Sequence, residues 1–285
     1  MNTNKFPLVS FVIPYYNHKQ YVKLTLDSIL EDSYPNKEIV IINDGSTDSD
    51  LKVINSWISE NSKSINIKFI SRENKGITKT LNELISISKG KYILACASDD
   101  YLINDTVMDR VRILEDSKKH VLISDVCVID EDNNVTHNSL LSGWGKSSNV
   151  DNYLTDDGIK FEIINRWSLA GACVIIKKDI FKKIGYYDES SLIEDWDFFL
   201  RAAANNSILF HNKIVSAYRR HDTNISSGKT FKMLYSVYLA SKKNYRLFNK
   251  PYKGYLLRKK ISYQIQMIFF PLKHLSRVIK GKLYK

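Results

Sequence analysis

The feature that most constrains this chain is the alternation, through its first half, of short apolar runs with amphipathic stretches. Residues 8–13, 38–42, 65–70, 92–97 and 121–128 are short and mostly rich in β-branched side chains, the pattern of strands in a covered sheet. Between them, Tyr21, Leu24, Ile29 and Leu30 fall on one helical stripe, as do Ile77, Leu81, Leu84 and Ile85. Strand and helix in alternation predict an α/β fold with a mostly parallel central sheet and helices on both faces. Binding and chemistry in such sheets gather at the carboxyl ends of the strands, here residues 14–17, 43–48, 72–76 and 98–100. Periodicity fades over 130–154. It returns as a helix near 155–165, a strand near 172–177 and a strong helix over 192–204.

Four segments carry residues that turns alone do not require. At 41–48 (IINDGSTD) a strand ends on Asp44. Asp44-Gly45 reads as a tight turn with Ser46 or Asp48 capping the next helix. A carboxylate there also accepts hydrogen bonds from a nucleobase, and the following helix N-terminus favours phosphate. At 90–100 (GKYILACASDD) a buried strand ends on Asp99 and Asp100. Adjacent carboxylates repel unless a cation or ordered donors compensate, and Mg²⁺ or Mn²⁺ bridging to a diphosphate would do so; the alternative is a solvated loop. At 191–197 (SLIEDWD) a helix opens, with Ser191 and Glu194 spaced as a capping box. Leu192, Trp196, Phe199 and Ala203 form its buried stripe, which leaves Asp195 beside it near the helix N-terminus, a place that suits an ionised general base. At 218–221 two arginines and His221 follow a predicted strand; they suit phosphate or a metal, although a lone histidine is more often structural.

Taken in order, VSFVIPYYN (9–17), NDGS (43–46), NKG (74–76), SDD (98–100), EDWDF (194–198) and Arg220-His221 resemble the motifs of glycosyltransferase family 2, over roughly residues 8–228. The resemblance implies a GT-A fold and an inverting, nucleotide-sugar-dependent transferase that builds a bacterial-type surface glycan. By it, Pro14 and Tyr16 line the nucleotide pocket, Asp44 holds the base, typically uracil, and Arg72 and Lys75 flank the pocket. Ser98 belongs to the donor loop, Asp99 is the ligand of Mn²⁺ or Mg²⁺, and Asp100 supports it. Asp195 is the base for an acceptor hydroxyl, and His221 with Arg219 or Arg220 reaches the diphosphate or the metal. Glu194, Trp167 and Trp196 lie toward the acceptor, with Trp144 a further ring for a sugar; core packing explains Trp196 better. The chain departs from the family at Ala97, where the first acid of the usual Asp-x-Asp is missing, which bears on metal affinity and donor choice.

Charge divides the chain. Residues 229–285 hold fifteen of its 42 Lys and Arg and none of its 31 Asp and Glu, so the first 228 are slightly acidic at a net −4. We expect a GT-A domain over 1–228, with a nucleotide-sugar half to about 128 and an acceptor half over 129–228, and a basic helical tail over 229–285. In that tail Leu256, Leu257, Ile261, Ile265 and Ile268 recur at helical steps beside Lys259 and Lys260. The longest nearly apolar stretch, 263–272, is about half the ~20 residues a span requires. The expectation is helices on an anionic membrane surface, beside a lipid-linked or glycan acceptor. No signal peptide is apparent and Cys96, Cys127 and Cys173 are isolated in apolar runs, so a cytoplasmic, peripherally bound protein with buried thiols is expected. A nucleic-acid-binding protein using the tail is a rival, but it leaves the acidic loops without a purpose. A sugar nucleotidyltransferase would want a glycine-rich loop after the first strand, and residues 14–17 contain no glycine.

Overall fold

The computed structural model describes residues 6–47, 51–143, 149–221 and 230–283. Asp48 and Trp144 of the expectations above lie outside these, as do 222–228 of the span that resembles the family. In chain order the elements are β1 (Val9–Tyr15), α1 (Val22–Glu31), β2 (Lys37–Asp44), α2 (Lys52–Asn61), β3 (Asn66–Arg72), α3 (Ile77–Ile87), β4 (Tyr92–Ala95), β5 (Tyr101–Leu102), α4 (Val107–Glu115) and β6 (Val121–Ile129). They continue with β7 (Val135–His137), α5 (Leu140–Gly143), α6 (Asp156–Asn165), β8 (Val174–Lys177), α7 (Ile180–Ile184), α8 (Glu194–Ala204), β9 (Ile208–Arg219), α9 (Phe231–Asn244) and α10 (Tyr252–Leu283).

The sheet runs β3-β2-β1-β4-β8-β6-β9-β5, with β7 paired to β6. The first four strands are parallel, so their carboxyl ends share one edge: Tyr15 pairs with Asn43, and Asp44 with Arg72. Alternation along each strand supplies two faces. Phe11, Ile13, Ile39 and Ile41 pack toward Leu26, Ile54, Trp57 and Val107 on one side. Val12, Val40, Ile42 and Ile93 pack toward Leu84, Ile163, Trp196 and Phe198 on the other. The resulting fold is the α/β GT-A type. Beyond β4 its sheet is mixed, because β8 is antiparallel to both β4 and β6 while β6 and β9 are parallel. The apolar run at 172–177 thus joins the sheet between two strands that precede it in the chain, a placement its own residues do not encode.

Three local expectations are corrected. Helix α8 begins at Glu194 with no side-chain cap; the Ser191 hydroxyl instead accepts from the amide of Ile193 at 3.1 Å, so the capping box is not formed. Leu192, expected in the buried stripe, is exposed, and Leu256, expected on a membrane face, is fully buried.

The tail is anchored in the main core. Leu234, Ala240, Phe248 and Leu256 are buried among the side chains that cover the α8 face of the sheet. Asp197, 1% exposed, accepts from Arg201 Nε at 3.1 Å, Lys243 Nζ at 3.3 Å and Asn244 Nδ2 at 2.7 Å. A buried carboxylate needs such partners, and two of the three come from α9. Leu192 adds a backbone N–H to the Ser236 hydroxyl at 3.2 Å.

Candidate active site

The parallel strands deliver their loops side by side. Asp44, almost fully buried at the end of β2, forms an ion pair with Arg72, and its carboxylate also accepts from the amides of Lys75 (2.8 Å) and Gly76 (2.9 Å) at the start of α3. Arg72 is itself held by Glu83 and Thr80. Gly45 has φ +71°, and a Cβ there would meet the Asn74 amide nitrogen at 2.6 Å; glycine is what lets the second and third loops touch. A carboxylate offers about four acceptor positions, and among the described residues three are taken, which leaves one on Oδ2. Lys75 spends its amide on Asp44 and keeps its side chain half exposed beside Glu83. Tyr16 is exposed on the same edge, and Pro14 is half-buried. Asn17, at φ 54°, ties the first loop to the second: its amide donates to the Ser46 hydroxyl at 3.1 Å and its Oδ1 accepts from the amide of Thr47 at 2.7 Å.

At the end of β4, Ser98, Asp99 and Asp100 are all buried. Asp100 Oδ1 accepts from the amide of Arg219 at 2.9 Å; burial first, and the charge of Asp99 second, push its carboxyl well above the usual range. Arg219, buried, lies over the Tyr21 ring at 4.5 Å. Its guanidinium donates to the carbonyls of Asp99, Asp130 and Glu131 and to Asn133 Oδ1. That makes Arg219 a strut for the carboxylate loop, not the residue that reaches a diphosphate. Arg220 is exposed.

Asp99 meets two histidines. Its Oδ2 lies 2.9 Å from His221 Nε2, and its Oδ1 3.6 Å from His18 Nδ1. The three ligand atoms lie within 4.8 Å of one another. Tyr21 stacks on the His221 ring at 5.6 Å, and the two imidazoles meet edge to face at 5.5 Å. His18 is the residue that sequence reasoning missed. Its signal was positional: it follows β1, whose neighbour in the sheet is β4.

Asp195 opens on a cavity of about 190 Å³ whose lining includes Pro14, Ala97, Trp167, Tyr187 and Glu194. The loop ends of β1 and β4 and the first turn of α8 therefore share one space. Asp195 Oδ1 accepts from the amide of Trp196 at 2.6 Å and Oδ2 from Trp167 Nε1 at 3.1 Å. Burial raises its carboxyl above the ordinary value, and those two donors pull it back. Burial, then the neighbouring Asp195, pushes Glu194 up to about 7. Trp167 flanks the cavity. Trp196 does not: it is buried, donates Nε1 to the carbonyl of Ile163 at 2.7 Å, and has Lys259 Nζ over its ring at 5.0 Å, so it has no free face for a sugar.

Residues 10–185 match the family model described as glycosyl transferase family 2. Over 104 residues the chain is 41% identical to the hyaluronan synthase of Pasteurella multocida, a stretch that is 36% of this chain and 10% of that one; the chain thus matches about a tenth of that relative's length. Among solved structures, S. aureus TarS in complex with UDP-GlcNAc superposes with TM-score 0.66 at 18% identity, over 92% of this chain and 72% of that one. The mannosyltransferase PcManGT from Pyrobaculum calidifontis, in complex with GDP-Man and Mn²⁺, gives 0.64 at 16% identity, over 90% and 69%.

Proposed function

The chain belongs to glycosyltransferase family 2, and we propose that it transfers a hexosyl or N-acetylhexosaminyl group, with inversion, from a UDP-sugar to a hydroxyl of a glycan or lipid-linked acceptor in surface polysaccharide synthesis. The observation that carries this reading is the shared cavity. It brings Asp195 on α8 to the loop ends of β1 and β4, so a donor seated on those loops has its anomeric carbon beside a carboxylate aimed by the N–H groups of Trp167 and Trp196. The remaining acceptor position of Asp44 suits the imide N–H of uracil, and the similarity to the UDP-GlcNAc complex of TarS favours that base.

Asp195 removes the proton of the acceptor hydroxyl as its oxygen attacks the anomeric carbon from the face opposite the diphosphate. The bond from that carbon to the diphosphate oxygen breaks, and the electron pair leaves with the nucleotide. Burial makes Asp195 a better base than a solvated carboxylate, and the Trp167 and Trp196 N–H groups keep it ionised. Glu194, held near 7, keeps its own proton more readily, which spares Asp195 a full charge on its immediate neighbour. Asp99 and His221 would hold Mn²⁺ or Mg²⁺, which supplies charge neutralisation for the departing diphosphate. Exposed Arg220 is suited to the phosphates.

The outer part of the tail supports attachment to an anionic membrane surface on the cytoplasmic side. Leu257, Ile261, Ile265 and Ile268 are exposed at helical spacing on α10, and Phe231 and Tyr235 are exposed on α9. No helix among the described residues is long and apolar enough to cross a membrane. The test of the function is direct: incubate the protein with a panel of nucleotide sugars and Mn²⁺ and measure release of nucleoside diphosphate, with and without candidate acceptors. Release from no member of the panel under any acceptor condition refutes the reading.

A further inference from the structure

We propose that His18 is a third protein ligand of the divalent cation, taking up the coordination lost at Ala97, and that the resulting set of two imidazoles and one carboxylate selects a transition-metal ion such as Mn²⁺ over Mg²⁺. The inference rests on the metal reading of Asp99 and His221 above and adds this chain's own residue to it.

The spacing comes first. An ion about 2.1 Å from each ligand puts neighbouring ligand atoms about 3 Å apart and opposite ones about 4.2 Å apart. His221 Nε2 and Asp99 Oδ2 are 2.9 Å apart, and His18 Nδ1 and Asp99 Oδ1 3.6 Å. All three ligand atoms lie within 4.8 Å of one another, so small side-chain movements let one ion touch all three.

The chemistry comes second. A ligating imidazole nitrogen must carry its lone pair, and the second nitrogen then holds the proton. His18 Nδ1 lies 2.9 Å from the Ser98 hydroxyl, which donates to that lone pair in the tautomer a ligand needs and turns aside when an ion arrives. The His221 ring is oriented by the stacked Tyr21 at 5.6 Å and by the edge of His18 at 5.5 Å.

The sequence supplies the need. Where the family commonly carries the first acid of Asp-x-Asp, this chain has Ala97, whose side chain can ligate nothing and which lines the cavity. β1 and β4 are adjacent, so the loop after β1 is well placed to supply the missing ligand. The exchange changes the metal. Carboxylate and water suit Mg²⁺ and Mn²⁺ alike, whereas imidazole suits first-row transition ions such as Fe²⁺, Ni²⁺ and Zn²⁺; of the two ions compared, Mn²⁺, itself a first-row transition ion, is the one that accepts imidazole nitrogen more readily.

The test is isothermal titration of the full chain with MnCl₂ and with MgCl₂, in the presence of UDP, and Mn²⁺ electron paramagnetic resonance as a second readout. Wild type should bind Mn²⁺ at least about 10-fold tighter than Mg²⁺. His18→Ala should weaken Mn²⁺ by about 10-fold or more and broaden the change in the Mn²⁺ signal, with circular dichroism confirming the fold. His18→Asp, which restores a carboxylate, should recover binding with the Mn²⁺ preference reduced. If Asp99→Ala abolishes Mn²⁺ binding while His18→Ala leaves affinity and spectrum as in wild type, His18 is no ligand and the Asp99 reading stands. If neither substitution changes binding, the metal reading fails together with this one.

Discussion

Replacing Asp195 by Asn tests the catalytic assignment, and its size can be worked from the two hydrogen bonds. Asn keeps the acceptor facing the Trp196 amide (2.6 Å) but puts an NH₂ against Trp167 Nε1, where Asp195 has an oxygen at 3.1 Å. Two donors then face one another. Losing one hydrogen bond to a charged group costs about 1.5–3 kcal/mol. Removing a charge next to Glu194 returns part of that, because Asp195 is one of the causes that push Glu194 up to about 7. Against a domain stability of roughly 5–15 kcal/mol the variant should fold. Turnover should fall by about 10²-fold or more, since Asn cannot take the acceptor proton; 10²-fold corresponds to about 2.7 kcal/mol of barrier. The assay is the initial rate of UDP release with saturating donor and acceptor, alongside UDP binding by calorimetry and the melting temperature. Transfer within about 3-fold of wild type, with UDP binding intact, removes Asp195 from the mechanism.

Trp167→Phe deletes an N–H that favours the ionised form of Asp195. The carboxyl therefore becomes harder to ionise, and the acid limb of the pH–rate profile should move to higher pH; an unmoved limb would show that the indole does not tune the base. Leu256→Ala should lower stability by about 2–5 kcal/mol, because Leu256 is fully buried, as read by urea denaturation; a loss below about 0.5 kcal/mol would mean that the tail is not part of the core. By the same packing, a chain cut after residue 227 should be poorly soluble, contrary to the separable tail that its charge implies, and a soluble, cooperatively melting fragment would contradict the docking described for α9. Ile261→Asp with Ile265→Asp should abolish sedimentation with anionic liposomes at low salt while leaving UDP release from soluble substrates unchanged; undiminished sedimentation would exclude this face as the membrane contact.

Much of the loop edge of the parallel strands was legible because it depends on local order. Each of the first four strands is an apolar run ending in a polar loop, and the parallel register then brings residues 14–18, 43–47, 72–76 and 98–100 together. What could not be read depends on which elements become neighbours. His18 sits in an ordinary polar turn, 80 residues from Ser98, which its ring meets. The Ser191 and Glu194 spacing is a good capping signal, yet the Ser191 hydroxyl is taken by the amide of Ile193 and α8 starts without a side-chain cap. In the tail, Leu256 and Leu257 are equally apolar, and only the docking of α10 decides that the first is covered and the second exposed. The arginine pair at 219–220 was ambiguous for the same reason: Arg219 ends a strand and turns inward, while Arg220 faces out.

The reversal at β8 also governs the order in which the molecule can be completed. β4 is an inner strand, but its outer neighbour is supplied by Val174–Lys177, some eighty residues later. Until those residues leave the ribosome, the growing chain presents β4 as a bare apolar edge, the kind of surface that recruits other strands. Pairings this distant in sequence slow folding, because the intervening loop must be closed before the contact gains anything. Nascent chains halted at about residue 130 should therefore be bound by chaperones or aggregate, and protease resistance should appear only once the chain extends through α10. The region that matches the family ends at residue 185, just after the strand that closes this edge.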